Sequence, residues 1–133
     1  MNLLLDTHVW LWAAEAPERL GRKTKNLMVK AGVDRSVSAI SALEIARLCA
    51  GGQLILSIGL APWIESSTAD LLLQHLPVTY SIAVEAYALP EPFHGDPADR
   101  LLVSTARIHE CTLLTADERL LRYERLETLD CRL

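Results

Sequence analysis

The sequence is short of cysteine, of long apolar runs and of positive charge, and each shortage narrows what the chain can be. Its three cysteines, Cys49, Cys111 and Cys131, are odd in number, widely spaced and without a CxxC pair. That argues against a disulfide scaffold and against a zinc site; reduced thiols are expected, at least two of them buried. No stretch approaches the roughly 18 uninterrupted apolar residues of a membrane span. The opening run MNLLLD is broken by Asp6 and lacks the layout of a signal peptide. The expectation is a cytoplasmic protein with no membrane partner. Lys and Arg number 13 against 17 Asp and Glu, for a formal charge of −4 and a pI near 5.5. The global positive excess common in nucleic-acid binders is therefore missing. A local one exists: Arg19, Arg22, Lys23, Lys25 and Lys30 fall within residues 19–30 with no acid among them. It reads either as a strip that holds phosphates beside a site or as a solvated helix face.

Repeats, low-complexity tracts and long linkers are missing too, and no Ser–His–Asp or Cys–His arrangement stands out. What is there is a chain of 133 residues, 50% hydrophobic and 23% charged, the proportions of one folded domain over residues 1–133. Short apolar runs predict strands at 3–5, 36–38, 76–79, 112–115 and 127–129. Helical spacing predicts helices over 8–15, 23–31, 41–50, 60–73, 81–88, 97–109 and 117–122. Gly51-Gly52 is a stop signal, and Pro97 suits a first turn. Strand alternating with helix implies an α/β fold, its sheet mostly parallel and covered on both faces. The unbroken Leu3-Leu4-Leu5 suits a strand buried on both sides. In such sheets ligands are met beyond the carboxyl ends of the strands.

Acids stand at those places. Asp6 directly follows the first strand, as a ligand or as the N-cap of the next helix. Glu44 shares an i, i+4 row with Ile40 and Leu48, with Leu43 beside it, so a glutamate lies within an apolar stripe. A buried lone carboxylate is costly; Glu44 needs a metal, a partner, or a route to solvent or Arg47 at the stripe's edge. Asp96, before Pro97, reads first as an N-cap. Asp99 falls in the first turn, where the helix dipole favours an anion. It also shares a face with Leu102, Val103 and Ala106 that points it inward, while Arg100 and Arg107 point to the surface. Asp117 lies two residues past the strand at 112–115, as a ligand or a cap. Thr115 offers a hydroxyl to a metal-held water or caps the same helix.

If the first strand is central, Asp6, Glu44, Asp99 and Asp117 can converge at one sheet edge. Such carboxylates repel unless a divalent cation neutralises them, and an oxygen-only set suits Mg²⁺ or Mn²⁺. The chemistry that needs this is hydrolysis of a phosphodiester. His8 and His94 lie near these segments as packing or hydrogen-bonding residues. Trp10, Trp12 and Trp63 read as core, although aromatics also stack on unpaired bases. An exposed side of the first helix carrying Val9, Trp12 and Ala13 would seat a partner's helix.

The segments LLLDTHVWLW, SAISALEIARL, HGDPADRLLVSTA and LLTADERL resemble, in order and spacing, the four acidic motifs of PIN domains. The variant is that of VapC-type toxins from bacterial and archaeal toxin–antitoxin pairs, and the resemblance runs from Asp6 to the last strand. It implies a three-layer α/β/α sandwich with a mostly parallel sheet of four to five strands. It implies a Mg²⁺- or Mn²⁺-dependent ribonuclease in which Asp6, Glu44, Asp99 and Asp117 are catalytic metal ligands. Asp6 and Asp99 would anchor the ion, Glu44 a water, and Asp117 would complete the site. Thr7, Asp96 and Thr115 would support them from one layer out, and Arg19, Arg22, Lys23 and Lys25 would touch RNA phosphates. It further implies a homodimer held inactive by a VapB-type antitoxin whose C-terminal segment covers the groove, with tRNA among the targets the family allows. Three rivals remain beside it, one of them a structural or oligomerisation domain with no site, which must treat Glu44 in an apolar stripe as an accident. A haloacid-dehalogenase-like phosphatase wants an aspartate where His8 stands. A PIN-fold module that binds RNA or antitoxin without cutting would keep RNA affinity and lose metal-dependent cleavage.

Overall fold

The computed structural model describes residues 1–93 and 95–133, so the expectation for His94 lies outside the described residues. Strand β1 (Asn2–Leu5) occupies the centre of a sheet. It pairs in parallel with β2 (Asp34–Ser38) on one side and with β4 (Thr112–Thr115) on the other. Strand β3 (Leu73–Leu76) lies outside β2 and β5 (Thr128–Asp130) outside β4, both parallel, giving the order β3-β2-β1-β4-β5. The helices are α1 (Thr7–Glu15), α2 (Arg22–Val29), α3 (Ala39–Ala50), α4 (Leu60–Asp70), α5 (Tyr80–Glu85), α6 (Pro97–Ile108) and α7 (Glu118–Leu121), with a 3₁₀ turn at Pro17–Arg19.

Successive side chains of a strand point to opposite faces, and the three leucines of β1 divide accordingly. Leu3 and Leu5 pack with Val9, Trp10, Val37, Ile45, Trp63 and Leu114. Leu4 packs on the other face with Ile40, Leu102, Val103, Ala106, Leu113 and Leu120. Two apolar layers on one fully parallel sheet make the expected α/β/α sandwich, and all three leucines are wholly buried. Each such side chain contributes about 1.5–3 kcal/mol. Trp10 and Trp63 are core residues, as expected. Trp10 Nε1 donates to Ser67 Oγ at 2.9 Å and Trp63 Nε1 to Glu15 Oε1 at 2.6 Å, so neither ring buries an unpaired N–H.

The third strand is the main displacement. Expected at 76–79, it runs Leu73–Leu76, and the helix expected over 60–73 stops at Asp70. Leu72 adopts φ 54°, a left-handed turn that ends the helix and opens the strand early. As a sheet edge, β3 leaves Gln74 and His75 exposed, so it carries no continuous apolar run. The face proposed to seat a partner helix is also corrected. Val9 is fully buried, and Trp12 is half-buried beneath the Arg19 guanidinium, 4.0 Å from its ring centre. Cys111 and Cys131 are buried and Cys49 half-buried, all three as free thiols. No helix among the described residues is long and apolar enough to cross a membrane.

Candidate active site

The central strands β1 and β4 end side by side, and their next residues build the site. Asp6 leaves β1 as the N-cap of α1 and is buried. Its Oδ1 accepts from the Thr7 N–H at 2.7 Å, and its Oδ2 accepts from the Thr115 hydroxyl at 2.7 Å. Thr115, the last residue of β4, also accepts the Asp117 N–H at 3.0 Å. One buried hydroxyl thereby fixes the relative placement of two acids that lie far apart in sequence. Asp117 caps α7, its Oδ1 accepting from the Arg119 N–H at 2.9 Å. Asp96 caps α6 by accepting the Asp99 N–H at 2.8 Å, and Asp99 sits in the first turn of that helix.

The cap readings of Asp6 and Asp117 hold, and the second oxygen of each meets a further partner, Thr115 for Asp6 and Arg119 for Asp117. Arg119 joins the set: its Nη2 lies 3.2 Å from Asp99 Oδ2 and 3.3 Å from Asp117 Oδ2.

Glu44 stands beside this group rather than within it. Thr7 Oγ1 bonds Glu44 Oε1 at 2.6 Å and Ser41 Oγ at 2.9 Å. The expected stripe on α3 is rotated. Ser41 and Ile45 face the interior, and Leu43 is 63% exposed. A small hydroxyl is what fits against Thr7, so Glu44 lies half-buried at the stripe's edge and finds a neutral partner. Arg100 is corrected as well: it is half-buried and donates to the Ala86 and Phe93 carbonyls, both at 3.2 Å, tying the loop before α6 to that helix. His8 is a hydrogen-bonding residue, as expected. Its Nε2 accepts the Ala116 N–H at 2.9 Å, which leaves the proton on Nδ1. That nitrogen is 3.7 Å from Asp6 Oδ2, beyond hydrogen-bond reach.

The electrostatics follow from this crowding. Burial, and after it the charges of Asp96, Asp117 and Asp6, push the Asp99 carboxyl up to about 6 against the opposing pull of Arg119. For Asp117 partial burial acts upward, but the Arg119 hydrogen bonds outweigh it and hold the carboxyl below its usual range. Asp6, Asp96, Asp99 and Asp117 therefore share one field, and Glu44 is linked to it through Thr7.

Among the described residues, no three acidic, histidine or cysteine groups stand ready to grip one ion as they are. The basic strip is exposed throughout. Arg19 packs on Trp12, and Arg22, Lys23 and Lys25 project from α2 into solvent. The start of α2 docks instead on the last residues: the Gly21 N–H donates to the Cys131 carbonyl at 2.9 Å and the Thr24 N–H to the Leu133 carbonyl at 3.0 Å.

The family model described as PIN domain matches residues 3–126. The chain belongs to the PIN domain family. The curated protein Ribonuclease VapC22 of Mycobacterium tuberculosis is 37% identical over 119 residues, covering 90% of this chain and 89% of that protein. Solved structures share the fold at lower identity. VapBC2 from Rickettsia felis, bound to a DNA fragment from its promoter, aligns with TM-score 0.65 and 16% identity over 97% of this chain and 98% of that one. A toxin–antitoxin complex from Klebsiella pneumoniae aligns with TM-score 0.64 and 16% identity over 96% of each chain.

Two residues of this PIN domain's site escape a reading of its sequence. Arg119 follows Asp117 by two positions at a helix start, where the dipole favours anions, so nothing local marks it as a partner for two carboxylates. Ser41 reads as an end residue of α3, and its contact with Thr7 spans 34 positions.

Proposed function

We propose that this PIN domain is a metal-dependent endoribonuclease, the toxin of a VapBC-type pair. It would hydrolyse RNA phosphodiester bonds in the cytoplasm, act as a homodimer and be restrained by a VapB-type antitoxin. The observation that carries the reading is the placement of Asp6, Asp99 and Asp117 in one field beyond the ends of β1 and β4, with Asp99 raised to about 6 by burial and by its acidic neighbours. Unbalanced negative charge at the carboxyl edge of a parallel sheet is what a hard cation neutralises. The 37% identity to a protein named a ribonuclease supports the chemistry. The likeness to toxin–antitoxin complexes supports the choice of partner.

The donor set fits Mg²⁺ or Mn²⁺, because every side chain that would hold the ion, Asp6, Asp99, Asp117 and Glu44, offers carboxylate oxygen. Bound there, the ion would lower the pKa of an attacking water and offset charge building on the phosphate.

The chain's own residues do the rest. Thr115 holds Asp6 and Asp117 in register, and Thr7 orients Glu44. Asp96 fixes the first turn of α6 and so the height of Asp99. Arg119 bridges Asp99 and Asp117 in the resting site, and its departure toward a substrate phosphate would open both oxygens. Arg22, Lys23 and Lys25 are assigned to more distant phosphates along the RNA, a role for which Arg19, committed to Trp12, is less free.

The test is cleavage of a mixed tRNA and messenger RNA pool by the purified chain with Mn²⁺, with Mg²⁺ and with a chelator, beside Asp6→Asn and Asp99→Asn. Discrete metal-dependent products lost in both variants are expected. Products that survive both substitutions would place the chemistry elsewhere.

A further inference from the structure

A cavity of about 470 Å³ opens beside the acids and shares two of its walls with them, Asp99 and Arg119. Its floor is Pro92, Phe93, Leu120 and Tyr123, and its rim includes Arg122 and Arg125. Its size lies within the range of small-ligand sites, about 300–1,000 Å³.

The floor is rigid. Phe93 and Tyr123 pack with ring centres 4.9 Å apart, and the Tyr123 hydroxyl donates to the Pro90 carbonyl at 2.7 Å. The rim is wet and basic in part. Arg122 and Arg125 are exposed, and neither forms an ion pair among the described residues. Two acids also border the cavity. Glu91 is partly engaged, its Oε2 accepting the Phe93 N–H at 3.0 Å, while Glu124 is open to solvent.

We infer that this cavity receives the nucleotide that adjoins the scissile phosphate of a single-stranded RNA. The inference rests on the ribonuclease reading above and adds to it where the substrate lies. A substrate that is a chain must continue past the acids over the protein surface, and this hollow continues the same wall. The floor, with Pro92 exposed and Phe93, Leu120 and Tyr123 almost wholly buried, gives a base an apolar seat rather than a free ring to stack on, and arginines at the edge take the flanking phosphate. Arg119 stands at the junction: in the resting site it holds Asp99 and Asp117, and together with Asp99 it lines the cavity. A nucleotide seated there would place its own phosphate within reach of Arg119, which couples filling of the cavity to release of the two carboxylates. Glu91 and Glu124 offer acceptors to a base's amino group and give the cavity a means of preferring one base.

The test uses the full chain with Ca²⁺ in place of Mg²⁺, to bind RNA without fast turnover, and a fluorescein-labelled single-stranded RNA hexanucleotide library. Arg122→Ala and Arg125→Ala lie on the surface, outside the acid set, and should fold as the parent does. Each arginine that meets a phosphate should lower the slope of log Kd against log salt by about 0.7. Cleavage under Mg²⁺ should show a raised KM with kcat little changed. A 4-thiouridine version of the library should cross-link, on irradiation, to peptides covering residues 91–93 or 119–125.

Unchanged salt slope and KM in the double variant, or cross-links confined elsewhere, would overturn the inference while leaving the ribonuclease reading intact. A parent chain that neither binds nor cuts RNA would overturn both. Loss of antitoxin binding in the double variant, with RNA binding unaltered, would reassign the cavity to the protein partner and overturn it as well.

Discussion

Asp99 should cost the metal-free fold stability at neutral pH, and replacing it should return that stability. Its carboxyl is held at about 6 in the folded chain against an ordinary value of 3.8. Between those two values the native state carries a proton that the unfolded chain has already released. Stability therefore falls as pH rises through this window, and the penalty is complete above it. Two pKa units correspond to about 3 kcal/mol. Asp99→Asn, uncharged at every pH, escapes the penalty. In chelator at pH 7.5 it should be more stable than the parent by up to about 3 kcal/mol, which for a domain of this size raises Tm by roughly 10 °C. Near pH 4 the two proteins should unfold together. The assay is thermal or urea unfolding of both at half-unit steps from pH 4 to 8, with and without millimolar Mn²⁺. Mn²⁺ should raise the parent's Tm at pH 7.5 and leave the variant's nearly unmoved. A difference between the two that does not change with pH, or a variant less stable than the parent at pH 7.5, would refute the electrostatic account of this site.

Thr115→Val keeps the shape of a fully buried side chain and removes both of its hydrogen bonds. It should destabilise the fold by about 1–3 kcal/mol in urea unfolding and reduce kcat for RNA cleavage at least tenfold, because Asp6 and Asp117 lose their common tether. Arg119→Ala removes two exposed ion pairs worth little to stability on their own and leaves Asp99 and Asp117 without their counter-charge. The Tm rise on adding Mn²⁺ should therefore be larger than in the parent, and an equal or smaller rise would contradict the bridging role. Gly21→Ala should be strongly destabilising by calorimetry, since the new Cβ would meet the Leu133 carbonyl carbon at 2.1 Å.

The parts of the site that were legible in the sequence are those set by local rules. Asp6 directly after a leucine run, Asp96 before a proline, and Asp117 just past β4 each announce a strand end or a helix start. A parallel sheet then brings such positions to one edge. The parts that were not legible depend on contacts between distant segments. Leu43 is more apolar than Ser41, so spacing alone turns α3 the wrong way; Ser41 is inward in one row with the core residue Ile45 and meets the Thr7 hydroxyl there. β3 was misplaced because an edge strand has one exposed side, and because Leu72 takes a left-handed turn that a leucine seldom announces. The basic strip of α2 was legible as a cluster but not in its position, which the docking of Gly21 and Thr24 on residues 131 and 133 decides.

The central place of β1 has a consequence for how the protein comes into being. Asp6 directly follows the central strand β1, yet the hydroxyl that holds it belongs to Thr115, 109 positions later. Asp99, Asp117 and Arg119 also come from the final third of the chain. A nascent polypeptide emerging from a ribosome can pair β1 with β2 early, but one flank of β1 stays open until β4 is released. Loop closure over such a span is slow compared with local pairing. The link that joins Asp6 to Asp117 through Thr115 is therefore assembled late in folding, after β1 and β2 have paired.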